Sequence, residues 1–223
     1  DAFCASRGMR VLANPNAPTG MVLPLSEIER ILSSDPDRVV LVDEAYVDFG
    51  AQTALPLLAK YENLLVVRTY SKSRSMAGAR LGFALGSEAL IRDLETIRFS
   101  TNPYNLNRLT LLLGEAAVAD DAYYMENCKK IAATRERTAA RLKELGFTLA
   151  PSQANFLFAS HPAVSGETLY SALKLRGVLV RHFKKPRISE YVRITIGTPE
   201  QMEVLFAAIE DILKGDTACA PQR

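Results

Sequence analysis

The chain has 223 residues, 48% of them apolar, with 27 Lys and Arg against 25 Asp and Glu. That supplies enough apolar side chain for one or two folded domains. The near-balanced charge, with no long basic run, gives nothing to attract nucleic acid or a membrane surface. No apolar stretch approaches bilayer length, and no signal-peptide pattern opens the chain. Cys4, Cys128 and Cys219 are odd in number and widely spaced, which fits free or buried thiols in a reducing cytoplasm. His161 and His182 are the only histidines, which argues against a histidine-based metal cluster. The opening Asp1-Ala2-Phe3-Cys4 runs at once into an apolar strand pattern, as the middle of a domain does, and predicts a piece of a longer protein.

Met9–Ala13 predicts a strand, followed by Asn14-Pro15-Asn16-Ala17-Pro18-Thr19-Gly20. Two prolines and a glycine there force a tight loop, and asparagines tolerate unusual backbone angles. In Leu25–Ser34, Leu25, Ile28, Ile31 and Leu32 recur at helical spacing, and Ser26 with Glu29 is placed for a capping box. Arg38–Val42 is rich in Val and Leu on both faces, like a buried parallel strand, and ends in Asp43-Glu44-Ala45-Tyr46. A carboxylate at such a strand end points into a site or caps a helix, and both roles are open to Asp43 and Glu44. Leu55–Tyr61 predicts a short helix, and Leu64-Leu65-Val66-Val67 a third buried strand closed by Arg68.

The stretch that organises the chain is Thr69–Arg80, followed by a further apolar run, Leu81–Gly86. Lys72 sits there in a hydroxyl-rich loop after a strand, where open α/β sheets place their ligands. An amine in that position can act as a nucleophile toward a carbonyl. Thr69, Ser71, Ser73 and Ser75 supply hydroxyls, and Arg80 a fork-shaped cation suited to phosphate. A polar surface loop is the competing reading. The order strand, helix, strand, helix, strand predicts an α/β fold with a parallel sheet. Its ligand edge gathers Asn14–Gly20, Asp43–Tyr46 and Ser71–Arg80.

Beyond Ser87 the pattern is helical over Glu88–Phe99, Leu106–Ala119 and Ala122–Leu145, the last stopped by Gly146. A compositional shift follows. Strands are predicted at Phe147–Leu149, Ala154–Phe158, Gly177–Arg181 and Tyr191–Ile196, helices at Gly166–Arg176 and Pro199–Leu213, and a frayed polar tail at Lys214–Arg223. The expected division is a large domain over 1–121, a connecting helix over 122–145 and a smaller α+β domain over 146–223.

Five stretches together resemble the fold-type I aminotransferases that use pyridoxal 5′-phosphate, and within them the histidinol-phosphate aminotransferases. They are Asn14–Gly20, Val42–Tyr46, Arg68–Lys72, Ala77–Gly82 and Val192–Gly197, in the family's order and spacing. The resemblance implies a three-layer large domain with a mostly parallel sheet, a smaller α+β domain, and a homodimer whose sites the partner completes. It implies that Lys72 binds the cofactor covalently and shuttles the substrate's α-proton. Asp43 pairs with the cofactor's ring nitrogen, Tyr46 donates to its 3-oxygen, and Ser71, Arg80 and Thr69 bind its phosphate. The family commonly places asparagine immediately before Pro-Thr-Gly; here that position is Ala17, so either Asn16 substitutes through a loop shift or Tyr46 acts alone.

In the second domain, Arg193 corresponds to the arginine that receives a substrate carboxylate. Arg181 corresponds to one that grips a distal anionic group, and Asn155 echoes a motif near the site. The implied reaction is transamination of L-histidinol phosphate with 2-oxoglutarate, giving imidazole-acetol phosphate and glutamate in histidine biosynthesis. An aromatic-amino-acid aminotransferase or a threonine-phosphate decarboxylase on the same fold is the alternative, and a catalytically incompetent fragment or binding relative a second.

Overall fold

A computed structural model of the chain describes residues 2–5 and 7–215. Cys219 and the part of the polar tail beyond Gly215 lie outside the described residues. The chain divides into two compact units. The first takes the chain up to Asn16 together with Val22–Cys128, and the second takes Ala17–Met21 and the chain from Lys129 onward.

The first unit begins with a single helical turn, α1 (Ala2–Ala5), and is built on a four-stranded sheet in the order β1-β2-β3-β4. β1 (Arg10–Ala13), β2 (Val40–Asp43) and β3 (Leu64–Thr69) run parallel, in a register that sets Leu12, Val42 and Val66 side by side. Those three side chains, with Val40 and Leu64, are buried against Ile28, Ile31 and Leu32 of α2 (Leu25–Ser33). Burial of this apolar face is what aligns the strands, because a one-residue slip would turn it outward. The N-cap of α2 is Pro24, whose carbonyl accepts from the Glu27 and Ile28 amides, and no side chain caps it. The expected Ser26–Glu29 capping box is therefore not formed: Ser26 already lies inside the first turn, too late to be the cap. Leu55–Ala59 is a 3₁₀ helix.

β4 (Gly82–Gly86) pairs antiparallel with β3, and a Cβ at Gly82 would meet the Arg68 carbonyl oxygen at 2.8 Å. α3 (Glu88–Thr101) and α4 (Arg108–Ala119) follow, each with an N-cap side chain, Ser87 and Asn107, accepting a backbone amide. On α4 only Thr110, Gly114 and Ala117 are buried, while Leu109, Leu111, Leu112 and Leu113 are exposed. α5 (Asp121–Glu144) contains the boundary between the two units.

The second unit holds an antiparallel sheet in the order β5-β6-β8-β7, from β5 (Thr148–Leu149), β6 (Phe156–Ser160), β7 (Arg181–His182) and β8 (Val192–Thr195). α6 (Gly166–Leu175) and α7 (Pro199–Leu213) bury Leu169, Leu173, Leu205 and Ile209 with Leu157, Ala159, Val192 and Ile194. The strand expected over Gly177–Arg181 is shorter than its apolar run. Gly177 adopts φ +77° and the Val178 amide donates to the Leu173 carbonyl, so these residues close the end of α6. Only Arg181 and His182 pair with β8.

α7 starts with a complete capping box: Thr198 accepts from the Gln201 amide, and the Gln201 side chain accepts from the Thr198 amide. Thr198→Ala is expected to lower stability by about 1 kcal/mol. Ile209→Ala, at a fully buried position, is expected to lower it by about 2–5 kcal/mol. Urea unfolding of the two variants checks that order.

Candidate active site

Parallel strands end on one side, so the loops that leave β1, β2 and β3 emerge together. Asp43 is the last residue of β2, in register with Ala13 and Val67. The Asn14 amide donates to the Asp43 carbonyl at 2.9 Å. The Asn14 side chain is buried and bridges the Leu23 amide and carbonyl, so this residue anchors the loop after β1. The Asp43 Oδ1 accepts from the Ala45 amide at 2.9 Å, an Asx turn that aims the carboxylate back over the strand end. Asp43 and Tyr46 are half-buried, and the Lys72 amine lies over the Tyr46 ring, 5.3 Å from its centroid. The Lys72 amine has no hydrogen bond or ion pair among the described residues, and the residue is exposed. Asn16 is half-buried, while Ala17 is exposed and assigned to the second unit.

The two neighbouring acids have different work. Glu44 is fully buried and accepts from Thr53 Oγ1, from the Ala54 amide and from Arg68 Nε and Nη2, the last at 2.8 Å. It is a structural anchor, and the helix cap considered for it is not formed. Around Lys72 the loop is closely pinned: the Ser71 amide donates to Thr69 Oγ1 at 3.0 Å, and the Ser75 amide to the Lys72 carbonyl at 3.2 Å. Ser73 is buried and donates to Asp48 Oδ2 at 2.6 Å. Arg74 donates to the Ala117 carbonyl and pairs with Asp121. Arg80 has φ +54°, is exposed, and donates one Nη1 hydrogen bond to the Ala77 carbonyl. Its other guanidinium donors have no protein partner among the described residues.

Sequence reasoning did not single out Arg68, Asp48 and Ser73 as a connected set. Their partners lie 24 and 25 residues apart in the chain, and no local spacing signals such a contact. Burial pushes the Cys128 thiol up to about 11, with Asp48 and Asp121 acting in the same direction and Arg74 against them. Cys4 and Cys128 are both free thiols.

In the second unit, Arg193 on β8 stands in register with Arg181 on β7. Its guanidinium lies over the Phe156 ring at 5.0 Å and the Phe183 ring at 5.9 Å, and its Nε is buried without a hydrogen-bond partner. Arg181 is exposed, and its guanidinium lies 5.6 Å from the centroid of the same Phe183 ring. The Asn155 carbonyl accepts from the Ile196 amide at 2.9 Å, while its side chain has no hydrogen bond among the described residues. His182 is engaged with the Ser189 carbonyl at 2.8 Å.

The first unit thus offers an amine, a strand-end carboxylate, a phenol and a loop of hydroxyls with a guanidinium. That set suits a ligand with a carbonyl, a basic ring and an anionic group. The same chain carries a second unit with an antiparallel sheet and two arginines in register. Residues 5–209 match the family described as aminotransferase class I and II, and the chain belongs to that family. A histidinol-phosphate aminotransferase from Marinomonas sp. is 54% identical over 204 residues, which cover 91% of this chain. The chain spans 58% of that relative's length.

Among solved structures, the fold matches a histidinol-phosphate aminotransferase from Sinorhizobium meliloti in complex with pyridoxal-5′-phosphate. Its TM-score is 0.80 at 24% identity, over 92% of this chain and 57% of that one. A decarboxylase from Sulfurospirillum multivorans matches with TM-score 0.81 at 27% identity, over 91% of this chain and 61% of that one.

Two outcomes test the division of labour at the strand end. Glu44→Ala strands the Arg68 charge and is expected to cost about 3–5 kcal/mol in urea unfolding, whereas Asp43→Asn is expected to cost less than about 1 kcal/mol. Cys128 should resist a thiolate-selective reagent at pH 8 until the protein unfolds. A thiol raised in the folded state makes the fold lose stability as pH climbs from the ordinary thiol value of 9.0 toward about 11. Cys128→Ala should remove that part of the alkaline decline.

Proposed function

We propose that this chain is part of a pyridoxal 5′-phosphate-dependent aminotransferase that exchanges the amino group of L-histidinol phosphate with 2-oxoglutarate, in histidine biosynthesis. The reading is supported by the family membership and by a relative of that name at 54% identity. The observation that carries it is the Lys72 amine over the Tyr46 ring, at the end of the strand beside the one that presents Asp43.

The cofactor, when bound, supplies a carbonyl for amines and a protonated ring that takes up the electron pair left when a substrate α-carbon loses its proton. Lys72 Nζ is the group that would hold the cofactor, and its amine would take up and return the substrate's α-proton. An exposed amine with no hydrogen bond or ion pair among the described residues is available for both. The Asp43 carboxylate holds the proton on the ring nitrogen, since an adjacent negative charge favours the protonated ring. Tyr46 donates its phenolic proton toward the 3-oxygen, with Asn16 as the second group. The Thr69 and Ser71 hydroxyls and the Arg80 guanidinium bind the phosphate.

Arg193 receives the carboxylate of glutamate or 2-oxoglutarate, and Arg181 an additional anionic group of the substrate, with Asn155 assisting. A buried guanidinium nitrogen without an acceptor is costly, and a carboxylate ligand supplies that acceptor. The exposed leucines of α4 support a homodimer. The free Cys4 and Cys128 support a reducing cytoplasm.

The similarity to a decarboxylase favours one alternative, a decarboxylase on the same fold. Full-length protein assayed with histidinol phosphate, phenylalanine and threonine phosphate separates the readings. Transamination fastest with histidinol phosphate is expected, and carbon dioxide release from threonine phosphate would replace it with the alternative. Lys72→Ala is expected to lower turnover by about 100-fold or more and to abolish borohydride trapping of the cofactor on the chain. Arg193→Lys is expected to cost roughly 10–100-fold in kcat/KM for glutamate.

A further inference from the structure

The Lys72 side chain makes no hydrogen bond or ion pair among the described residues and its amine lies over the Tyr46 ring, so its position depends on the backbone that carries it. We infer that Asp48 and Ser73 are positioning residues for Lys72, coupling its loop to the segment that bears Asp43 and Tyr46. The inference rests on the lysine role proposed above. Asp48 lies two residues beyond Tyr46, in a 3₁₀ turn over Val47–Phe49 whose Val47 and Phe49 are buried. Ser73 immediately follows Lys72, is itself buried, and donates to Asp48 Oδ2 at 2.6 Å. A hydroxyl-to-carboxylate bond of that length belongs to the strong, charge-assisted class.

The alternative assigns Asp48 to neutralising Arg68. Its distances point the other way: Arg68 Nη1 is 3.6 Å from Asp48 Oδ1, whereas Arg68 already has Glu44 at 2.8 Å. The closer commitment of Asp48 is to Ser73. The remaining tethers of the loop do a different job. Arg74 fastens it to the Ala117 carbonyl and Asp121, on the side of α4 and α5. The Ser75-to-Lys72 and Met76-to-Tyr70 backbone bonds are internal to the loop. Ser75 holds φ +55°, a backbone conformation that persists only where surrounding contacts over-determine it. The Ser73–Asp48 bond is thus the contact that refers the lysine to the Tyr46 side of the sheet edge, and small displacements of a reacting group are expensive in rate.

The test uses the full-length protein and its Ser73→Ala, Ser73→Thr, Asp48→Asn and Asp48→Asn/Ser73→Ala variants. It reads thermal unfolding, the circular dichroism induced in the bound cofactor's absorbance band, and kcat and KM separately. Ser73→Ala is expected to lower kcat by about tenfold with KM within about twofold of wild type, and to reduce the induced dichroism, while remaining folded. Ser73→Thr, which keeps the hydroxyl, is expected to restore both signals. Asp48→Asn should shift them in the same direction, and should add nothing further in the Ser73→Ala background, as one shared bond requires.

Wild-type dichroism and kcat in Ser73→Ala, a loss that only follows the unfolded fraction, or full additivity in the double variant overturns the positioning role while leaving the lysine's role standing. Failure of borohydride to fix pyridoxal phosphate on Lys72 of the wild-type protein overturns the proposed function, and this inference with it.

Discussion

The ion pair of Arg68 with Glu44 is the constraint on which the sheet edge of the first unit depends. Taking a carboxylate fully out of water is costly, and attraction to one cation does not by itself offset that cost. Glu44 meets it by satisfying both oxygens: Thr53 Oγ1, the Ala54 amide and two guanidinium nitrogens of Arg68 all donate to them. Geometry of that quality fixes the relative position of its parts. Glu44 directly follows β2 and Arg68 lies within β3, so the pair joins the ends of two neighbouring strands. Asp43 precedes the one anchor and Lys72 follows the other by four residues. Asp43 is thereby left half-buried and Lys72 exposed, while Glu44 and Arg68 carry the structural burden.

The parts of this arrangement that could be read in the sequence were those with a local signal. Val40–Asp43 and Leu64–Thr69 are strands because β-branched and leucine side chains fill both faces, and the pattern is plain in four residues. Lys72, Asp43 and Tyr46 were identifiable as polar residues directly after such runs. What was not legible came from partners distant in sequence or from competing uses of the same backbone. Ser73 next to Lys72 looks like any loop hydroxyl until Asp48, 25 residues earlier, is placed against it. The apolar run at Gly177–Val180 has strand composition, yet its first amides are taken by the end of α6. Ser26 has the right identity for a cap and the wrong position, because Pro24 already starts the helix.

The second unit poses an electrostatic question that its packing only partly answers. Arg181 and Arg193 face each other across neighbouring strands, a like-charge pair that destabilises a sheet. Phe183 lies against both guanidinium groups, and Phe156 lies against Arg193 as well, so aromatic faces take up part of the charge. Cation–π contact leaves the N–H donors unused, however, and the buried Nε of Arg193 has no acceptor.

Arg10 provides the internal control for that point. It too is buried and has an Nε without a partner, but its terminal nitrogens donate to the Ile31 carbonyl, Ser34 Oγ and the Cys4 carbonyl. Three acceptors drawn from α1 and the end of α2 explain why a guanidinium belongs there, and no ligand needs to be invoked. Arg193 has none of these. Its cation is held in position by rings that cannot accept its hydrogen bonds well, in a strand whose neighbours are apolar and buried. An arginine kept under those conditions costs stability, because the buried nitrogen loses its water without gaining an acceptor. The same contrast separates Arg68 from Lys72 in the first unit. Arg68, which the protein satisfies, ties two strands of the first unit together, whereas the Lys72 amine has no hydrogen bond or ion pair among the described residues.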